Sequence, residues 1–240
     1  IYAYCGAVRP KTALEPAPTF SEYALGLAQV GCRVKPYYLT PDRDFALDSH
    51  FPDYLTEILP EAVFLCNPNN PTGMLIHPAV LKDILDVCRE NRIRLFVDEC
   101  FLDLSDDGQS MKGYLAEYPN LFILKAFTKS YGMAGIRLGY CLCSDRELLK
   151  AMSRTVQPWN VSGLAQAAGL AALDEGDFLA KTKALIQIER PWLKEKLEAF
   201  GFRVFPSQVN YLLFQGPQTL HRDLKTRGIA IRNCDNYPGL

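Results

Sequence analysis

Two cations stand where a packed core would want neither. The stretch AFTKSYGMAGIRLGY (126–140) is apolar and punctuated by glycine, yet it carries Lys129 and, eight residues on, Arg137. A lysine held in a low-dielectric pocket beside another cation has a depressed pKa and serves as an amine nucleophile. A guanidinium can be that second cation and can also grip a phosphate through paired N–H donors. Two more polar sites close apolar runs. NPNNPTG (67–73) follows AVFLC and sets Asn70 in a proline-stiffened turn, where its amide is a donor at fixed geometry. VDE (97–99) ends a second run with Asp98, a carboxylate that is costly to bury without a cationic or hydrogen-bonding partner.

Taken singly, each residue has an ordinary reading: a solvated lysine, a helix cap or metal ligand, a turn amide. Taken together they ask for one ligand. It needs a heterocycle with a basic nitrogen for Asp98, a ring oxygen for Asn70, an aldehyde for Lys129 and a phosphate for Arg137. Pyridoxal phosphate carries all four.

The elements that must position these groups read as strands alternating with helices. KTALEPAP (11–18), CRVKPYYL (32–39), AVFLCNPNN (62–70), RLFVDECF (94–101), LFILKAF (121–127) and RLGYCLC (137–143) have the texture of short apolar strands. Between them, Phe20 to Val30 and Pro78 to Asn91 show helical spacing, the first stopped by Gly31. Continuous apolar strands separated by helices predict an α/β fold, a mostly parallel sheet sandwiched by helices. Sheets of that kind bind ligands at the carboxyl ends of their strands, where all the polar sites fall. Beyond Asp145 the composition turns to Ala, Leu, Lys and Glu, which predicts long helices over 147–155 and 164–199. RVFPSQVNYLLFQ (203–215) alternates like strands, HRDLKTRG (221–228) reads as a helix closed by glycine, and IAIRN (229–233) as a strand. The expected division is a large domain over 1–158 and a smaller α+β lobe over 159–240.

Bulk properties narrow the function. The 240 residues are 48% hydrophobic and carry a net charge of −1 with both signs interspersed. That gives no electrostatic case for nucleic acid or for an anionic membrane. No apolar run approaches the ~20 residues of a membrane helix. The eight cysteines form no CxxC pair and sit mostly inside apolar runs, so they are expected to be reduced core residues of a cytoplasmic protein. His50, His77 and His221 have no spacing that suggests a metal site and are assigned to the surface. There is no GxGxxG, GxxxxGK[ST], HExxH or GxSxG motif, and the glycines at 132, 135 and 139 are wrongly spaced for a dinucleotide loop.

The stretches APTFSEY (17–23), FLCNPNNPTG (64–73), VDECFLD (97–103), FTK through RLGY, QPWNVSGLA (157–165), VNYLL (209–213) and IRNCDNYPGL (231–240) together resemble the fold-type I pyridoxal-phosphate enzymes of the class I/II aminotransferase superfamily. Within it they are similar to the threonine-phosphate decarboxylases and the histidinol-phosphate aminotransferases. The resemblance implies that Lys129 bonds the cofactor aldehyde and that Asp98 keeps the pyridine nitrogen protonated. It implies that Asn70 donates to the ring 3′-oxygen and that Phe20 stacks on the ring. Arg137 and Thr128 would contact the cofactor phosphate. Arg232 would face the phosphate of a phosphorylated amino-acid substrate, with Asn160 also lining that pocket. A homodimer is implied as well.

The departures are informative. Phe101 stands where the superfamily usually has a tyrosine, so DECF leans toward the decarboxylases. Ala126 stands where a phosphate-binding hydroxyl is common. A preceding phosphate loop, and a following strand with a carboxylate-gripping arginine, are expected outside these 240 residues. The leading expectation is decarboxylation of O-phospho-L-threonine to aminopropanol phosphate in cobalamin synthesis. Transamination of histidinol phosphate or a related amino acid is second. A non-catalytic effector-binding module is the alternative from another class, and a remnant that binds no cofactor is a third.

Overall fold

The computed structural model describes residues 1–240. Helix α1 (Tyr2–Val8) precedes β1 (Thr12–Ala17), α2 (Glu22–Ala28), β2 (Arg33–Tyr38), α3 (Phe51–Ile58) and β3 (Ala62–Cys66). Helix α4 (Pro78–Glu90), β4 (Arg94–Asp98), β5 (Leu121–Ala126), the single turn α5 (Phe127–Ser130) and β6 (Gly139–Leu142) follow. The strands form one sheet in the order β2-β1-β3-β4-β5-β6, all parallel except β6, which runs back against β5.

Both faces of the sheet's centre are covered, which is why β3 and β4 run apolar up to their last residues, while the edge strand β2 (RVKPYY) alternates with exposed positions. On one face Leu14, Val63, Leu65, Leu95, Val97, Leu121 and Ile123 pack with α3 and α4. Helix α4 is started by His77, whose Nδ1 accepts from the Ala79 amide, with Pro78 at its first position. Its Val80, Leu81, Ile84, Leu85 and Cys88 turn inward. On the other face Ala62, Phe64, Phe96 and Phe122 pack with α1 and α2.

Phe64, Phe96 and Phe122 are cross-strand partners, and their rings stack at 4.7 and 5.2 Å with Tyr4 across them. Burying each phenylalanine stabilises the fold by roughly 1.5–3 kcal/mol. Two residues further along the same strands come Cys66, Asp98 and Leu124, again in register. The aromatic row therefore fixes the strand ends on which the candidate site stands.

Helices α6 (Arg146–Ser153), α7 (Gly163–Asp174) and α8 (Phe178–Ala199) come next, so the helical pattern over 164–199 is two helices broken at 175–177. The alternating stretch 203–215 pairs only at its ends, as β7 (Arg203–Val204) and β8 (Phe214–Gln215). Helix α9 (Leu220–Lys225) closes near Gly228, whose φ is +74°. Residues 229–233, expected as a strand, form none: they have no neighbouring edge to hydrogen-bond with. No helix is long and apolar enough to cross a membrane.

One buried charge in the sheet has a measurable consequence. Glu15 on β1 is 8% exposed, its Oε2 has no hydrogen-bond partner, and burial pushes its carboxyl up to about 7 from an ordinary 4.5. Between those values the folded protein holds a proton that the unfolded chain releases, so this group makes stability fall as pH rises from about 4.5 to about 7. The loss is on the order of 3 kcal/mol. Glu15→Gln, neutral at every pH, is expected to remove that slope and to be more stable than the wild type at pH 8 but not at pH 4.5, measured by urea midpoints.

Candidate active site

Three parallel strands deliver the chemistry. After β3 the chain enters the loop 67–73, which is held internally. Asn67 Oδ1 accepts from the Ile76 amide at 2.9 Å. Asn69 donates to Thr72 Oγ1 and Pro18 O and accepts from Thr19 Oγ1. Gly73 closes the loop at φ +76°, and a Cβ there would lie 2.3 Å from Ser207 Oγ, so only glycine fits. Asn69 is the structural amide of the loop. The neighbouring Asn70 is half-buried, makes no side-chain hydrogen bond, and lines a cavity of about 810 Å³.

Strand β4 ends on Asp98, which is 5% exposed. Its Oδ2 accepts from the Tyr23 hydroxyl at 2.7 Å and its Oδ1 from the Cys100 amide at 2.9 Å. No lysine, arginine or histidine nitrogen comes within 4.0 Å of it; the ion pairs of the chain use other carboxylates. Its neighbours respond to the charge. Burial, and then the Asp98 carboxylate, hold the Tyr23 phenol well above its usual range and raise the Cys100 thiol; the same two causes push Cys66 up to about 12. All three stay protonated around a carboxylate that has hydrogen bonds but no counter-cation.

Strand β5 runs into α5, which carries Thr128 and Lys129. Lys129 is exposed, and its Nζ lies 5.3 Å from the centre of the Phe101 ring. Phe101 meets Tyr211 edge-on at 5.0 Å, and the Tyr211 hydroxyl donates to Asn69 O at 2.9 Å. Lys129 is thus linked through two rings to the loop that bears Asn70. Arg137 is exposed in the left-handed region (φ +59°), and its guanidinium turns back to donate to Ala134 O. It sits near Thr128 because Gly139 pairs with Ala126 and the Phe127 amide donates to Leu138 O. Phe20 is half-buried with its ring edge against Tyr23 at 5.6 Å, next to the phenol that holds Asp98.

Asn70 and Arg232 share the 810 Å³ cavity with Tyr211, His221 and Tyr237. Arg232 is exposed, donates to Asn236 Oδ1 at 2.9 Å and lies over the Tyr237 ring. Asn160 is exposed between α6 and α7, outside the contacts that join the others. Sequence reasoning missed Tyr23, Tyr211 and the placement of His221 on the cavity wall. The APTFSEY and VNYLL stretches contain the two tyrosines, but an apolar pattern does not show where a phenol points.

The fold has close counterparts among known structures. The histidinol-phosphate aminotransferase of Clostridium acetobutylicum superposes with a TM-score of 0.90 at 28% identity, covering 99% of this chain and 72% of that one. The L-threonine-O-3-phosphate decarboxylase of Porphyromonas gingivalis shares the fold at a TM-score of 0.84 and 21% identity, over 100% of this chain and 72% of that one. In sequence, the threonine-phosphate decarboxylase of Salmonella typhimurium is 34% identical in an alignment of 251 positions that covers 100% of this chain and 67% of that protein. The histidinol-phosphate aminotransferase of Caldanaerobacter subterraneus is 31% identical over 95% of this chain and 64% of its own length. The chain thus spans about two thirds of these relatives. Residues 3–238 match the family described as aminotransferase class I and II, and the chain belongs to that family of pyridoxal-phosphate-dependent enzymes.

The residues present suit that cofactor. A buried carboxylate without a counter-cation is what a protonated pyridine nitrogen completes. An unbonded amide, an exposed amine and a guanidinium stand at the adjoining strand ends.

Proposed function

We propose that the intact protein decarboxylates O-phospho-L-threonine to aminopropanol phosphate, the step assigned to threonine-phosphate decarboxylases in cobalamin synthesis. The observation that carries the cofactor reading is Asp98, a buried carboxylate held by two hydrogen bonds and lacking any cation. The decarboxylase reading is favoured by the Phe101 ring facing Lys129, in a DECF stretch, and by the Salmonella relative.

When bound, pyridoxal phosphate supplies an electron sink for the carbanion left as carbon dioxide departs. The chain's own residues would do the rest. Asp98, held by Tyr23, would keep a proton at the ring nitrogen. Phe20 would cover the ring face and Asn70 would donate to its oxygen. Thr128 and Arg137 would hold the cofactor phosphate. Lys129 would anchor the cofactor through its aldehyde and, when free as an ammonium, would be the proton donor to the substrate α-carbon. Arg232 would receive the substrate phosphate in the 810 Å³ cavity, whose lining does not include Asn160. The intact protein is proposed to be a cytoplasmic homodimer of a large domain (1–158) and a smaller lobe (159–240). Leu164, Leu170 and Leu173 of α7 are exposed in the single chain and suit burial against a second copy.

Transamination of a histidinol-phosphate-like amino acid is the second reading, favoured by the Caldanaerobacter and Clostridium relatives. The full-length protein with pyridoxal phosphate and O-phospho-L-threonine is expected to release one carbon dioxide per substrate with no oxo acid present. Conversion of the cofactor to its amine form, without carbon dioxide, would place the protein among the aminotransferases.

A further inference from the structure

Outside the residues assigned above, the densest buried charge lies beside the turn that carries Lys129. Lys125, on β5, is 7% exposed and donates from Nζ to Asp103 Oδ1 at 2.6 Å. Ser130, 3% exposed, donates from Oγ to the other oxygen, Asp103 Oδ2, at 3.1 Å. One carboxylate therefore holds residues on both sides of Lys129, four before it and one after.

Asp103 belongs to the opposite segment. It lies in the 3-10 turn Leu102–Leu104, five residues beyond Asp98 and two beyond Phe101. That turn is held by the Leu102 amide to Glu99 O and the Leu104 amide to Phe101 O. Main-chain pairing joins the two segments only as far as the Glu99 amide to Leu124 O at 2.9 Å. Past that point, where Phe101 and Lys129 meet, the recorded polar ties are those of Asp103.

A buried lysine pair is a poor device for stability alone, since apolar residues of the same volume often do as well. What the pair adds is geometry. Misplacing a reacting group by about 1 Å costs on the order of 100-fold in rate. We propose that Asp103 is a positioning residue that, through Lys125 and Ser130, sets the separation between the Lys129 amine and the ring that Asp98 binds. This rests on the cofactor reading given above.

Glu99 makes the test practicable. It is fully buried, accepts from the Met111 amide through Oε1, and its Oε2 lies 3.8 Å from Lys125 Nζ without a hydrogen-bond partner. In Asp103→Asn, Lys125 retains this second carboxylate and the fold keeps a counter-charge for it. The decisive measurement, on full-length apoprotein mixed with pyridoxal phosphate, is the rate at which a borohydride-fixed adduct forms on the Lys129 peptide. It is paired with steady-state kinetics and apoprotein melting. Asp103→Asn is expected to slow adduct formation about 100-fold and to lower kcat similarly, with KM within about threefold.

Ser130→Ala, which removes only the hydroxyl tie, is expected to slow adduct formation about tenfold with little change in melting. A folded Asp103→Asn with the wild-type adduct rate overturns the inference. Should that variant not fold, a wild-type adduct rate in Ser130→Ala overturns it equally. Absence of any adduct in the wild type itself overturns the cofactor reading, and this inference with it.

Discussion

Lys129→Ala is expected to lose the borohydride-fixed cofactor adduct entirely and to lower turnover by roughly 10⁴-fold or more. The size follows from what can replace it. Lys125 is the nearest lysine in sequence, but its amine is committed to Asp103 at 2.6 Å and to Glu99 at 3.8 Å, on the buried side of the turn. Freeing it would leave two carboxylates without their cation, one of them fully buried. Stability should scarcely move, because Lys129 is exposed and forms no ion pair; exposed substitutions of this kind stay within about 0.5 kcal/mol. Mass analysis of the borohydride-treated full-length variant, beside its melting curve, checks both halves. An adduct found on another lysine at full yield would remove Lys129 from its assigned role.

Asp98→Asn is expected to move activity and stability in opposite directions. The carboxylate has no counter-cation in the chain, so removing its charge should leave the apoprotein as stable as before or more so. With the cofactor bound as proposed, the carboxylate would become half of a buried ion pair. Loss of one partner of such a pair costs about 3–5 kcal/mol, which is a fall of two to four orders of magnitude in kcat/KM. An asparagine can still accept from the Cys100 amide and take part with the Tyr23 hydroxyl, so the local shape is kept. Urea unfolding of the apoprotein and turnover of the loaded enzyme are the two readouts. An apoprotein weakened in step with activity would show that Asp98 is a structural group.

The sheet was legible because burial of both faces leaves β1, β3, β4 and β5 largely apolar at successive positions. The polar residues that interrupt that pattern stand out for the same reason, and Asp98 and Lys129 were singled out that way. Short elements were missed. Helix α1 spans seven residues and lacks a side-chain cap, so nothing local marks its start, whereas the eight residues of α3 carry a first-turn proline, Pro52, and an apolar face that the reading passed over. Residues 229–233 have the alternation of a strand, but a strand exists only where another edge meets it, and no sequence pattern states that. Asp103 and Lys125 went unassigned because they are each other's partners across 22 positions, and Tyr23 and Tyr211 because theirs lie 75 and 142 positions away, in contacts that depend on how the sheet is stacked. Of these, Lys125 was the most visible, as a charge inside LFILKAF, yet its function depends on a carboxylate that nothing nearby points to.

The stacked rings of Phe64, Phe96 and Phe122 lie entirely within residues 1–158, whereas Arg232, Tyr237 and His221 come from the last twenty residues of the chain. The residues proposed to hold the vitamin thus stand on the sheet, while those proposed to sort its guests come from a later part of the chain that packs onto it through Phe205, Leu213 and Cys234. Lineages could exchange one phosphorylated amino acid for another by editing the tail, while inheriting the inner machinery unaltered.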